Sequence, residues 1–155
     1  MRIPESDFLA SLPRLRRYAR SLARDPAEAD ELVRESLERA LSREHAWPGE
    51  NVPGWLLGVM TEVYRGRGRR ERAGPERSAP EAAGFERARL AVAIERLSAE
   101  NRAVLMLVVV EGLSYPEVAV ILDLPLGTVM SRLYRARAAL ADTLRSHNVV
   151  AFRRR

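Results

Sequence analysis

The chain contains no cysteine and no lysine, only two histidines, and 6% aromatic residues. Without cysteine there is no disulfide, no thiolate chemistry and no zinc finger, a usage that fits a reducing compartment. His45 and His147 stand alone, with no ligand-like spacing to acids or to each other, so neither a metal nor a cofactor is expected. No glycine-rich loop cradles a phosphate, and no nucleophile lies beside a candidate base, so nothing points to an enzyme. The longest apolar run, Ala103 to Val110, is far too short to cross a bilayer. The opening residues place acids where a signal peptide needs an apolar stretch. These absences predict a soluble, cytoplasmic protein without membrane insertion.

What the sequence does contain is arginine. All 26 basic residues are arginine, against 21 acids, for a net charge of +5. A positive balance suits an anionic partner such as nucleic acid or an acidic protein, and it equally serves solubility. Genome composition accounts for the arginine-only usage as well as function does. With 46% apolar and 30% charged residues the 155-residue chain reads as globular, with room for one domain or two small ones.

Apolar residues recur at helical spacing in the first half. Phe8, Leu12, Leu15, Ala19 and Leu22 share one face. Asp25-Pro26 with Glu28 reads as a capped helix start, followed by the stripe Ala29, Leu32, Val33, Leu37, Ala40 and Leu41. A third helix begins near Pro53 and buries Trp55, Leu56, Val59, Met60 and Val63 before running into RGRGRRER, Arg65 to Arg72. Its Gly58, Gly66 and Gly68 each weaken a continuous helix by roughly 1 kcal/mol relative to alanine. Trp55, on the apolar face, reads as core. Trp47 sits in a Pro-Gly loop, where it either packs against the neighbouring helices or stacks on an unpaired base.

From Glu71 to Arg87 the text ERAGPERSAPEAAGFER has linker composition and no period. A second helical set follows, covering Leu90 to Leu97, Asn101 to Glu111, Ser114 to Leu122 and LPLGTVMSRLYRARAAL, residues 124 to 140. The segment AVLMLVVV is read as helix because helices flank it and no partner strand is in sight. Ser114-Tyr-Pro-Glu117 is a capping box, and Asp123-Leu124-Pro125 a tight turn. On a wheel at about 100° per residue, Leu126, Val129, Leu133 and Leu140 form a core stripe. Thr128, Ser131, Arg132 and Arg135 lie opposite it, with Met130, Tyr134 and Arg137 along one flank and no acid anywhere in the stretch. A short helix, a turn and an acid-free, arginine-bearing helix form the pattern of a helix-turn-helix DNA reader. A solvated helix face is the plain alternative.

Residues 97 to 140, LSAENRAVLMLVVVEGLSYPEVAVILDLPLGTVMSRLYRARAAL, resemble the promoter-reading C-terminal domain of sigma-70 family factors of the extracytoplasmic-function (ECF) group. In the first half, ADELVRESLERAL and VPGWLL resemble helices of that group's N-terminal domain. The resemblance implies an all-α chain of two small helical domains joined by a flexible linker, the C-terminal one a helix-turn-helix. Residues 1–71 would bind core RNA polymerase and the −10 element, 72–88 would be the linker, 89–148 would read the −35 element, and 149–155 would be a basic tail. Thr128, Met130, Ser131, Arg132 and Arg135 would face the −35 element. Asp30, Glu31, Arg34 and Glu35 would face core polymerase. Trp47, Thr61, Glu62, Arg65, Arg67, Arg69 and Arg70 would lie at the −10 element, although the arginine run also reads as a solvated helix end complementing the helix dipole.

Four positions depart from the family pattern: Met130 where a lysine is usual, Arg34 where glutamine is, and Thr61 and Glu62 where Arg-Asn is common. The carboxylate of Glu62 would oppose phosphate, so the −10 reader is either specialised or impaired. Two functions therefore compete. One is a sigma factor that directs promoter-specific transcription initiation with core polymerase and is held inactive by an anti-sigma factor. The other is a degenerate sigma-like protein that binds an anti-sigma factor without competent promoter recognition.

Overall fold

Several helix starts are fixed by capping groups that the sequence supplies. Asp25 accepts from the Glu28 amide at 2.8 Å, with Pro26 at the first helical position, and the Glu28 carboxylate accepts from the Arg24 amide at 2.7 Å. Ser98 accepts from the Asn101 amide at 3.2 Å. Ser114 and Glu117 close the expected capping box in both directions, at 3.2 Å and 2.7 Å. Asp123 ends its helix in the left-handed region, φ 51°, and turns the chain into the next.

The structure, a computed structural model, describes residues 2–71 and 85–153, and the side chains of residues 2–68 and 87–145. The helices are α1 (Glu5–Leu22), α2 (Pro26–Ser42), α3 (Val52–Glu71), α4 (Phe85–Glu95), α5 (Ala99–Val109), α6 (Tyr115–Leu122) and α7 (Leu126–Arg153), with one 3-10 turn at Glu44–Ala46. Among the described residues there is no strand, so AVLMLVVV is helical as expected. Residues 72–84, most of the expected linker, lie outside the described residues. α4 begins at Phe85, inside the span read as linker, and the α7 backbone reaches Arg153, through most of the span read as a tail.

α1, α2 and α3 pack on one another, as do α5, α6 and α7 with α4 against α7. The two sets also touch, through α1 on α5 and through α3 on α5 and α6, and the buried apolar residues of both join in one core. α3 is the shared element. Leu56, Leu57, Val59, Met60 and Val63 are all buried, which spreads burial around its axis because neighbours cover it from both sets. Leu57, which periodicity did not mark, is fully buried for that reason. Leu41 and Leu126 are corrections in the other direction. Both were assigned to apolar stripes, yet each is exposed, Leu41 next to the last residue of α2 and Leu126 at the first residue of α7, while Ala40 and Val129 of the same turns are buried.

Polar and close contacts also join the sets. Glu111, just beyond α5, has a fully buried carboxylate that accepts from Arg14 Nε at 2.8 Å and from Arg17 Nη2 and Nε at 2.8 and 3.1 Å. Arg102 of α5, itself buried, donates to the Ser21 carbonyl at 3.0 Å, one of the carbonyls left without an intrahelical partner at the end of α1. Gly58 brings α3 against α6 so closely that a Cβ there would stand 2.8 Å from the Ile121 carbonyl oxygen. The glycine read as a weak point of α3 is thus the place where two helix backbones meet.

Two outcomes are expected. Gly58→Ala should improve the helical propensity of α3 yet push α6 away, giving a larger radius of gyration in small-angle scattering at unchanged far-UV circular dichroism. An unchanged radius would mean the helices do not approach this closely. Glu111→Ala should lower stability by about 2 kcal/mol, the scale of a hydrogen bond to a charged group, because both arginines retain partial access to water. The shift of a urea midpoint at constant slope measures it.

Candidate nucleic-acid interface

The turn at 123–125 sets α7 beside α6 in helix-turn-helix fashion, with Val118 of α6 and Val129, Leu133 and Ala136 of α7 buried. The opposite side of α7 is open. Ser131 and Arg135 are exposed, Thr128 is half-buried, and the Ser131 hydroxyl donates to the Thr128 carbonyl at 3.2 Å. Met130 and Tyr134 stand exposed along the flank. Because residues 124 to 140 contain no acid, Arg135 and Arg137 have no carboxylate on their own stretch of helix to neutralise them.

Arg132 differs from its neighbours. It is half-buried, and its charge is felt by the carboxyl of Glu100 in the first turn of α5. The Glu100 carboxyl is held below the usual carboxylate range, first by its own backbone N–H and then by the Arg65 guanidinium, with Arg132 adding a smaller attraction and partial burial opposing them. Glu100 is thus paired with an arginine of α3 and feels the charge of one on α7.

On α3, Arg65 and Arg67 are engaged. Arg65 Nε meets Glu100 at 3.4 Å across the two helical sets, and Arg67 Nη2 meets Glu35 of α2 at 2.7 Å. The side chains of Arg69 and Arg70 lie outside the described residues. Glu62 is exposed and bound by Arg43 at 2.9 Å, so its charge is already countered by a neighbour of the same set.

Two residues expected at a nucleic-acid surface are in the core. Thr61 is buried, donates to the Leu57 carbonyl at 2.8 Å and shares a 2.9 Å hydrogen bond with the buried Tyr18 hydroxyl. Burial raises the Tyr18 phenol well above its usual value, so it stays a neutral hydrogen-bonding partner. Trp47 packs rather than stacking on a base: its ring is buried and its Nε1 donates to the Glu50 carbonyl at 3.0 Å. Trp55, expected in the core, is half-buried against it.

On α2, Asp30, Glu31 and Arg34 share an exposed surface, with Arg34 bridging Glu38 at 2.7 Å and Glu31 at 3.9 Å. Glu35 is turned away from that group toward Arg67. A crevice of about 470 Å³ separates α1–α3 from the α4–α5 turn, lined among others by Tyr64, Arg67, Ser98 and Arg102. Among the described residues no group of acids and histidines is arranged to hold a metal, and no helix is long and apolar enough to cross a membrane. Glu100, Arg102 and Glu111 were not singled out from the sequence. The one signal for Glu111 was an acid ending an apolar run just before Gly112, which adopts φ 66°.

Comparison with known proteins agrees with this geometry. Residues 87–140 match the family described as sigma-70 region 4, and residues 8–61 match the sigma-2 domain of PhyR. The ECF RNA polymerase sigma factor EcfG of Rhodopseudomonas palustris (strain TIE-1) is 35% identical over 150 residues, covering 89% of this chain and 83% of that protein. Among solved structures, the sigma factor RpoE in complex with the anti-sigma factor NepR from Bartonella quintana superimposes with TM-score 0.70 at 29% identity, covering 91% of this chain and 96% of that one. The anti-anti-sigma factor PhyR, complexed with NepR from the same organism, shares the fold, with TM-score 0.65 at 18% identity over 86% of this chain and 47% of that one. With a relative of this identity aligned over most of both chains and region 4 matched on the helix-turn-helix itself, the chain belongs to the ECF sigma factors of the sigma-70 family.

Proposed function

We propose that the protein binds core RNA polymerase in the cytoplasm, directs promoter-specific transcription initiation without catalytic chemistry of its own, and is restrained by an anti-sigma factor. The observation that carries this reading is the open, acid-free side of α7, where Ser131 and Arg135 are exposed on a helix-turn-helix. Guanidinium groups there suit both phosphate oxygens and the guanine edge. In this reading residues 89–148 hold the −35 reader, in which Thr128 and Arg132 join Ser131 and Arg135. Residues 1–71 hold the −10 reader and the polymerase contact. Asp30, Glu31 and Arg34 meet polymerase, and Arg65, Arg67, Arg69 and Arg70 meet phosphates once their acids are displaced. The likeness to RpoE bound by NepR supports a protein partner of the anti-sigma kind.

A second reading has its own support. The first half matches a domain named for PhyR, and Arg65 and Arg67 are paired with acids, which favours a sigma-like protein that occupies an anti-sigma factor and reads DNA poorly. Run-off transcription with purified core polymerase separates the two. Transcripts starting at discrete promoters are expected; no initiation at any promoter, together with tight binding to an anti-sigma protein, would establish the second reading.

The acid between the readers gives a further expectation. Glu100→Gln should free Arg65 and remove the charge facing Arg132, steepening the dependence of log affinity on log salt by about one unit on a generic duplex. Fluorescence anisotropy across a salt series reads this, and an unchanged slope would mean that neither arginine reaches phosphate.

A further inference from the structure

The function proposed above gives no role to the crevice between the helical sets. Its volume, about 470 Å³, falls in the range of small-molecule sites, about 300–1,000 Å³. Two of the arginines that line it are fixed in place with donors to spare. Arg102 is only 9% exposed, and its Nε and Nη2 both donate to the Ser21 carbonyl, at 3.3 and 3.0 Å. Arg67 is held in the same way, with Nε and Nη2 on one oxygen of Glu35 at 2.9 and 2.7 Å. In both, the Nη1 group makes no hydrogen bond among the described residues. The exposed Arg96 adds a third guanidinium, while Ser98 and Ala99 bring the N-terminus of α5 and the positive end of its dipole. Leu22, Leu32, Leu97 and the half-buried Tyr64 supply apolar surface. The acids of the lining are Glu28, whose carboxylate accepts from the Arg24 amide, and the exposed Glu95.

We infer that the crevice binds a nucleoside polyphosphate, with its phosphates on Arg67, Arg96, Arg102 and the start of α5 and its base against Tyr64 and the leucines. The donors select the phosphate. A guanidinium already fixed through Nε and Nη2 has lost its rotamer freedom, so taking a phosphate oxygen on Nη1 costs little further ordering. Charge-assisted bonds from guanidinium groups and a helix N-terminus are the ones phosphate accepts best. The apolar lining selects a ligand larger than the phosphates alone, because sites of this size bury an apolar body and orient it with a few polar groups. Arg67 belongs to α3, whereas Arg96 and Arg102 belong to the α4–α5 turn and α5, so the ligand spans both helical sets. By mass action it therefore stabilises the packed arrangement of the two. The inference does not rest on promoter reading.

The test is isothermal titration of the full chain with ATP, GTP and pyrophosphate in turn, at constant ionic strength. One of the nucleotides should bind once per chain and about tenfold tighter than pyrophosphate, the effect of burying the base. Saturation with it should raise the urea midpoint. Arg96→Ala removes one charge-assisted bond and should weaken the nucleotide about tenfold. Arg96 is exposed and makes no hydrogen bond among the described residues, so this variant keeps the native packing. Arg102→Lys keeps the charge, loses the fork held on Ser21 and should cost a similar factor. Arg16, exposed on α1 outside the crevice, is the control, and Arg16→Ala should bind as the native chain does. No binding of either nucleotide would overturn the inference, as would an Arg16→Ala loss equal to that of Arg96→Ala, the mark of general attraction to a basic chain. Pyrophosphate binding as tightly as the nucleotides would also overturn it and leave an inorganic phosphate site. A chain that binds nucleotide at this site yet initiates at no promoter would uphold the inference and overturn only the promoter-reading function.

Discussion

A single buried carboxylate orders the relation between the two helical sets. Glu111 is removed from water, and such burial costs several kcal/mol unless good geometry and further hydrogen bonds offset it. Arg14 and Arg17 supply that geometry because they lie three residues apart on α1 and present two guanidiniums to one carboxylate. Both arginines keep contact with solvent, so the cluster adds less to stability than its short distances suggest. Its effect is on register: the observed placement of α5 against α1 brings both guanidiniums to the one acid. With that placement fixed, Arg102 reaches the Ser21 carbonyl at the end of α1, and Gly58 lets α6 lie on α3.

This arrangement explains why α3 looked weak in the sequence. A helix covered from several directions needs apolar residues around much of its circumference and small ones where backbones meet. It therefore has neither a clear amphipathic stripe nor a strong intrinsic propensity. Gly58 lowers the helical propensity of α3, and close packing against α6 recovers it. Thr61 follows the same logic. On a one-sided helix it would be a surface residue, but here its hydroxyl is satisfied by the Leu57 carbonyl and Tyr18 within the core.

The parts of the fold legible in the sequence were those governed by local chemistry. The starts of α2 and α6 were marked by Asp25-Pro26 and Ser114 with Glu117, and the apolar periods of α1 and α2 located most of their buried residues. The relation of α6 to α7 was also legible, because a turn of three residues leaves few ways to join two helices. What was not legible depended on contacts distant in sequence. Arg14, Arg17 and Arg102 could not be distinguished among 26 arginines, since their partners lie more than eighty residues away. Leu126 was misplaced because a helical wheel assigns a direction to a side chain but cannot say whether a neighbour extends far enough to cover it. For the candidate interface, the sequence located the open side of α7. It could not anticipate that Glu35 and Glu100 would hold Arg67 and Arg65 of α3.

The two basic surfaces consequently differ in what a nucleic acid must displace. Ser131 and Arg135 are exposed on a stretch that contains no acid, so contact with this side of α7 displaces no carboxylate of that stretch. Arg65 and Arg67 already have carboxylate partners, and a phosphate that takes the same donor groups must replace Glu100 and Glu35. That exchange conserves the number of charge-assisted hydrogen bonds on each guanidinium, so its net free energy is far smaller than that of either bond alone. A small net term is easily tipped by salt or by any neighbour that draws the carboxylate away. Glu35 lies on α2, the helix whose outer surface carries Asp30, Glu31 and Arg34, so a protein docking on that surface acts on the helix that holds Arg67. Under the proposed function, the polymerase contact and the acid that holds Arg67 therefore sit on the same helix, α2.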